Sequence, residues 1–397
     1  MPKATVNDRP AASEIGTEGS RSEDRTRADA GPKSGKAASD ATGEPKSPSE
    51  VARFVRELRS RVGDLLTPSP AIFWSDLFAS AALGYGGLAI YLGLPLDNPL
   101  AWFGFFAAWF ALYRGLMFIH ELAHLRRGTF GGFRIAWNVV FGMPLMMPSF
   151  LYTEHRTHHT NHSYGTDGDA EYCPIGLGPV SLVAWFVGQG LLVPIFGVLR
   201  FALIGPLSFC HPALRRIVWQ KASGLTQNNT KFSRPAPTPD QRGPFLALEF
   251  GTTLFSWCAL ALMIAGVVPW FWLLKLYVLF AALTVLSMAR ALASHLYLNE
   301  GDPMSYLDQM FDSTTIPGRP LLTELWAPLG QRYHALHHLM PSIPYHNLGI
   351  AHRRLMRHLP ADSPYHRTLR SGFLPAIAQV WIGAAAEAEK RRRHASA

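Results

Sequence analysis

Residues 71–113 carry only two charged side chains, Asp76 and Asp97. A run that long without charge has no place on the surface of a soluble domain, and a bilayer is the solvent that accepts it. Within it, Leu77–Leu94 is uncharged and Leu100–Ile119 is broken only by Arg114. Two further stretches behave alike: Phe250–Val268 is uncharged, and Trp270–Ala289 holds only Lys275. A spanning helix needs about 20 predominantly apolar residues, so four spans are expected. Pro269 alone divides the last two, which predicts a tight hairpin. A fifth apolar stretch, Ile175–Leu199, is long enough to span but holds five glycines and two prolines.

Composition agrees with a membrane body. Only 16% of the 397 residues are charged, against about 25% in soluble domains. The net charge of +9 could suggest nucleic acid, but no basic face interleaves with aromatics as that partner requires. Placement explains the charge better. Lys and Arg cluster in the N-terminal tail, at Arg126, Arg127, Arg134 and Arg156, between Arg215 and Arg242, and from Arg290 onward. The links Pro95–Pro99 and Val268–Pro269 carry none. Under the positive-inside rule both short links lie outside, and both termini and all long segments lie in the cytoplasm. That parity holds with four crossings, so Ile175–Leu199 is read as interfacial or re-entrant.

The expected organisation follows. Residues 1–50 lack aromatics and mix eight Lys/Arg with nine Asp/Glu, a composition that stays disordered. They contain no apolar core for a secretory signal. Residues 51–70 form an amphipathic helix: Val51, Phe54, Val55, Leu58, Val62 and Leu65 recur at helical spacing among four arginines, which suits an anionic membrane surface. Residues 71–365 form the membrane body, and 366–397 a basic C-terminal tail. Cys173, Cys210 and Cys258 are too scattered for a disulfide framework or a thiolate metal site. The fold class is an all-α membrane protein, with four transmembrane helices in two hairpins, interfacial helices and a cytoplasmic histidine-rich cap.

The histidines point to chemistry. Eight of the sixteen lie in three clusters: His120-Glu-Leu-Ala-His124, His155-Arg-Thr-His158-His159 and His334-Ala-Leu-His337-His338. With 16 histidines in 397 residues, an HxxHH pattern should arise by chance about 0.025 times, and this chain has two. Residues at i, i+3 and i+4 neighbour one another on a helix, and neutral imidazole is a common ligand for iron, zinc and copper. Eight imidazoles exceed what one zinc ion uses and suit two metals with open positions. The predicted topology brings all three clusters to one side of the membrane, and His295, ending the fourth span, reaches the same level. His162 and His346 are weaker candidates for the same site.

This arrangement resembles the integral membrane fatty acid desaturase family, which includes hydroxylases and ketolases. Its pattern is HxxxH or HxxxxH, then HxxHH, then a second HxxHH or QxxHH beyond a membrane hairpin. The local contexts Gly165-Thr-Asp-Gly-Asp-Ala-Glu171 and Arg332-Tyr-His-Ala-Leu-His-His-Leu-Met-Pro-Ser-Ile-Pro344 are also similar. The resemblance covers about residues 70–365. It implies a non-haem centre of two Fe(2+) ions held by His120, His124, His155, His158, His159, His334, His337 and His338. His295 matches a ninth ligand of the acyl-CoA branch, where an Asn stands four residues earlier; here that position is Ala291. The implied activity is O2-dependent insertion of a double bond into the acyl chain of a lipid or thioester. It consumes two external electrons. With no Cys-rich, haem or flavin module in the chain, a separate ferredoxin-like or cytochrome-type donor with its reductase is implied.

Other residues have expected roles. Asp169 and Glu171 are candidates for orienting imidazole N–H groups, and Arg332 for contacting a head group or the donor. Arg114, charged inside a span, is a functional candidate by position. Three other readings remain. A related di-iron hydroxylase or ketolase of a lipid or carotenoid would carry the same boxes. His120-Glu121-Leu-Ala-His124 is also HExxH, the pattern of a zinc metalloprotease, although that leaves both HxxHH clusters unused. A metal transporter would place its ligands near the bilayer midplane, not at one face.

Overall fold

The computed structural model describes residues 48–126, 128–225, 229 and 231–395. The tail expected over 1–50 therefore lies outside the described residues as far as position 47, and so does Arg127. The described chain is all-helical; its only β-pairings are isolated bridges, His295 with Ser313 and Thr315 with Leu369. After α1 (Pro48–Val62) come two long helices, α2 (Pro70–Gly93) and α3 (Pro99–His124). Short elements follow: α4 (Gly131–Trp137), α5 (His155–His158), α6 (Val180–Gly188), α7 (Val193–Val198), α8 (Gly205–Ser208) and α9 (Pro212–Ala222). Two more long helices, α10 (Pro239–Ile264) and α11 (Trp272–Ser294), precede α12 (Tyr306–Asp312), α13 (Pro320–Trp326), α14 (His334–Leu339), α15 (Tyr345–His358) and α16 (Phe373–Ala395).

The long helices begin where their sequences say they should. α2, α3 and α10 open on Pro, whose missing N–H costs nothing in a first turn. Asn98 caps α3 by accepting from the Leu100 N–H, and Thr238 caps α10 in a reciprocal box with Gln241. By length and composition α3, α10 and α11 can each cross a membrane, and the protein is a multi-pass membrane protein. Helices Val180–Leu191 and Val193–Ser208, bent by 53°, would add a fourth crossing if they were one span.

The expected span Leu77–Leu94 falls in α2, whose 24 residues are long enough but less apolar. Its glycines dilute the hydropathy and allow close packing on α3. A Cβ at Gly84 would lie 2.6 Å from Leu112 Cδ2, one at Gly87 2.7 Å from the Ala108 nitrogen, and one at Gly104 2.8 Å from the Gly87 oxygen. Where lipid offers no hydrophobic drive between helices, such close backbone approach supplies the association. The two lone charges in the apolar helices also have local partners. Lys275 donates to the carbonyls of Tyr91, Leu92 and Leu94, which α2 leaves unpaired at its C-terminus. Arg114 on α3 pairs with Asp76 on α2 and reaches Glu324 at 2.8 Å.

The second pair, α10 and α11, is joined by a short turn around Pro269, and the bent segment packs against both. Thr284 on α11 donates to the Gly190 carbonyl, while Thr253 and Trp257 on α10 donate to Phe201 and Ala202. The segment enters beside His295, where Gly176 abuts the Leu296 carbonyl, and leaves toward α9, which lies against Phe150 just before the second histidine cluster. Both of its ends are thus on the histidine side.

Two flanking segments differ from their sequence readings. The apolar stripe of α1 does not face lipid: Leu58, Val62 and Leu65 are buried in one cluster with Tyr333, Leu336, Leu348 and Leu355. Nor are residues 366–397 merely a basic tail. Ala376, Val380 and Ala384, one helical turn apart, bury one face of α16 beside α6 and α11. Local periodicity defined these faces but could not say which surface would cover them.

Adjacent glycines in α2 test the packing argument. Gly86 has open space around it, whereas a Cβ on Gly87 strikes the backbone of α3. Gly86→Ala should stabilise the protein by up to about 1 kcal/mol through helix propensity. Gly87→Ala should instead cost about 1–3 kcal/mol by overpacking, read as a lower thermal midpoint in detergent.

Candidate metal centre

The histidine clusters sit at the ends of the long helices and on two short turns held against them. α3 delivers His120 and His124 on its last turn, with ring centroids 5.0 Å apart. The lead-in to α5 is pinned twice: the Ser149 N–H donates to Asn138, and Arg234 donates to the Phe150 carbonyl and the Thr153 hydroxyl. His295 follows the last residue of α11. Strand-like stitches tie it to α14, as Leu296 donates to Asp312, Thr314 to Ser294, and Ala335 to Thr314.

These elements bring all nine predicted histidines into two adjoining groups. His120, His124, His155, His159 and His337 form one; His158, His295, His334 and His338 form the other. In each, the candidate ligand atoms lie within 4.8 Å of one another. Both HxxHH motifs are divided between the groups. Positions i and i+4 are separated by about 40° around a helix, but i+3 lies about 100° from i+4. So His155 and His159 face one group while His158 faces the other, and His334 and His338 pair while His337 crosses over. The sequence reading, which put each triplet on one face, missed this exchange. His159 and His338 meet where the groups abut, with ring centroids 4.2 Å apart.

The donor set fits a metal. Nε2 atoms face each other at 3.1 Å for His155–His159 and His124–His337, 2.9 Å for His295–His334 and 3.2 Å for His334–His338. With metal–nitrogen bonds of about 2.1 Å, one ion could reach both nitrogens of each pair. Both ring nitrogens of His120 are buried without a hydrogen-bond partner among the described residues, and an ion would occupy one. Burial pushes the imidazoles of His155, His159, His295, His334, His337 and His338 well below their ordinary pKa, and nearby imidazoles add to the effect. They are therefore neutral, the form that binds metal. An all-nitrogen set suits a first-row transition metal and not calcium or magnesium, which take oxygen.

Carboxylates back the rings. Glu171 lies 2.8 Å from His155 Nδ1, and Asp169 lies 2.8 Å from His158 Nδ1. Burial lowers the His158 pKa, but the carboxylates of Asp169, Glu171 and Asp312 act against it and the net direction is upward. Burial pushes Glu171 up to about 7. The turn that carries both acids needs Gly165, whose φ is +73° and where a Cβ would stand 2.2 Å from Asn299. Asp169 accepts from the Gly165 and Glu171 backbone N–H groups, which fixes its direction.

Sequence reasoning missed three partners. The Tyr152 hydroxyl donates to Glu171, and the ring stacks on His155. Tyr164 lies 2.9 Å from His295 Nδ1 and donates to Asp312 at 2.7 Å, an indirect carboxylate support. Tyr152, three residues before the second box, offered a positional hint; Asp312 offered none. Arg332 is engaged elsewhere, 3.8 Å from Glu324 and donating to the Pro317 carbonyl. His162 is exposed and outside both groups, and His346 accepts from the Ser69 N–H, also outside them. Glu121, the general base a zinc protease would need, accepts instead from the Tyr345 N–H at 3.1 Å.

An all-helical membrane protein with three or four candidate spans and two adjoining imidazole groups fits a class of membrane lipid oxidoreductases, and the comparisons agree. The chain belongs to the fatty acid desaturase family, whose profile matches residues 97–370. It is similar to a ceramide hydroxylase of Caulobacter vibrioides (strain NA1000 / CB15N), with 40% identity over 346 residues, covering 85% of this chain and 95% of that protein. No solved structure matches it.

Removing a polar group that backs a ring should weaken metal binding while the fold persists. Asp169→Asn and Tyr164→Phe should each weaken metal binding about 10–100-fold. Metal per chain by elemental analysis after chelator challenge, with helical content from circular dichroism, measures this.

Proposed function

We propose that this protein is an O2-dependent, di-iron lipid hydroxylase acting on a ceramide or a closely related amide-linked lipid. The observation that carries the reading is similarity to the ceramide hydroxylase over 95% of that protein's length, in a chain whose nine histidines fall into two metal-sized groups. The sequence reading favoured desaturation and held hydroxylation as the alternative. The similarity reverses that preference within the same family.

Two Fe(2+) ions would be held, one by His120, His124, His155, His159 and His337, the other by His158, His295, His334 and His338. Bound there, iron supplies the reduction and cleavage of dioxygen that attack on an unactivated C–H bond requires. The protein's own groups do the rest. Glu171, Asp169 and the Tyr164–Asp312 pair hold ring Nδ1 atoms so that Nε2 faces inward. Burial excludes water from the centre, and the apolar helices accept the lipid chain beside it. No side chain acts as proton acceptor from the substrate, because an alkyl C–H carries no acidic proton. Hydroxylation converts R–H, O2, two electrons and two protons into R–OH and water. Desaturation consumes the same oxidant and electrons and leaves two waters. The charge distribution supports cytoplasmic termini and a cytoplasmic centre, where a separate donor has access.

Product mass decides between the two outcomes. Expression in a host that makes the lipid but lacks the enzyme should yield a product heavier by one oxygen. A product lighter by two hydrogens would restore the desaturase reading. His334→Ala should abolish either product, and unchanged product in that variant would refute the di-iron assignment.

A further inference from the structure

We propose that the exposed arginine face of α1 and α15 is the docking surface for an acidic one-electron donor protein. The proposal rests on the oxygenase reading above, which requires two electrons per turnover. The three cysteines are free and far apart in sequence, so the chain offers no thiolate cluster to carry those electrons itself.

The face follows from how α1 packs. Because Leu58, Val62 and Leu65 are buried against the third-box segment, Arg53, Arg56 and Arg59 are left exposed on the other side. α15 is built the same way. Leu348, Ala351, His352 and Leu355 face inward, while Arg353 and Arg357 are exposed. Arg354 joins the two helices by donating to the Arg61 carbonyl at 2.9 Å and to Asp64 at 3.0 Å. Residues 48–69 and 345–370 together hold nine arginines against four acidic residues, and two of those acids, Glu57 and Asp64, already pair with Arg61 and Arg354. An excess of this sign attracts an acidic partner and steers its approach. A lipid surface is the weaker match, because a membrane-binding amphipathic helix also needs a free apolar face, and that of α1 is covered.

A second observation ties the face to the segment that carries the third histidine box. His352, next in sequence to exposed Arg353, is buried with its ring 4.9 Å from that of Tyr333. Tyr333 directly precedes His334, a member of the four-histidine group. The His352 and Tyr333 rings thus pack between the arginine-bearing helix and the segment that carries His334. Each donor passes one electron and leaves oxidised. Two encounters supply the pair of electrons that, with O2 and two protons, convert R–H to R–OH and water.

The test compares two electron sources for the purified, iron-loaded enzyme in nanodiscs. One is an acidic [2Fe–2S] ferredoxin with its reductase; the other is reduced methyl viologen, which needs no docking surface. Arg53→Glu/Arg56→Glu/Arg59→Glu and, separately, Arg353→Gln/Arg357→Gln should each raise the half-saturating ferredoxin concentration about tenfold or more. Each should also flatten its dependence on salt, while viologen-supported turnover and iron content stay at wild-type levels. Unchanged ferredoxin saturation in both variants would overturn the proposal. So would a wild type that turns over with viologen but not with ferredoxin, or variants that lose only their affinity for phosphatidylglycerol vesicles. A wild type inactive with viologen would instead overturn the oxygenase reading on which the proposal rests.

Discussion

The approach of imidazole nitrogens to within 2.9–3.2 Å of one another is the constraint on which this structure depends. The candidate ligand atoms come from the ends of two long helices and from two short helical turns; each turn brings its own i, i+4 pair together, but neither group assembles within one element. Neutral rings must be packed at close range in a dry interior, which burial permits by keeping them unprotonated. Their orientation then depends on a surrounding layer of Glu171, Asp169, Tyr164 and Asp312. Asp169 is held by N–H groups of its own turn and Asp312 by the Leu298 N–H, while Tyr164 bridges the two segments by donating to Asp312.

The membrane helices serve this geometry by standing at fixed separation. Glycines at the α2–α3 contact set one distance, and Lys275 ties the far end of α2 to α11. The Arg114–Asp76 pair joins α2 and α3 near the histidine end, and Glu324 extends it to the segment preceding the third box. Charges that look out of place in apolar helices are thus the groups that hold the helices in register. The bent segment does the same for α10 and α11, filling the space between them from the histidine side.

Family membership and reaction outcome are set by different parts of the molecule. The family match and the two histidine groups speak to the class. Whether the second hydrogen is lost or an oxygen gained depends on how the lipid chain lies beside the centre. The histidine boxes say nothing about that, and the proposal of hydroxylation leans instead on similarity over nearly the full length of a ceramide hydroxylase. It reordered the two readings without disturbing the site.

Much of this was legible in the sequence because the signals are local. Hydropathy marked α3, α10 and α11, and helical spacing picked out eight histidines. His295 and the acids Asp169 and Glu171 were legible from topology and proximity to a box. The rest required the folded chain. Tyr164 and Asp312 lie 148 residues apart, and no periodicity links such positions. The division of each HxxHH between two groups depends on which neighbours face the turn, and the covered stripe of α1 on what packs over it. The sequence by itself determined a multi-pass membrane protein with its histidines gathered in three boxes, because composition and i, i+4 spacing act over a few turns. Only the tertiary structure decided which imidazole joins which group, what orients it, and which arginines remain exposed, because those are outcomes of contacts between distant segments.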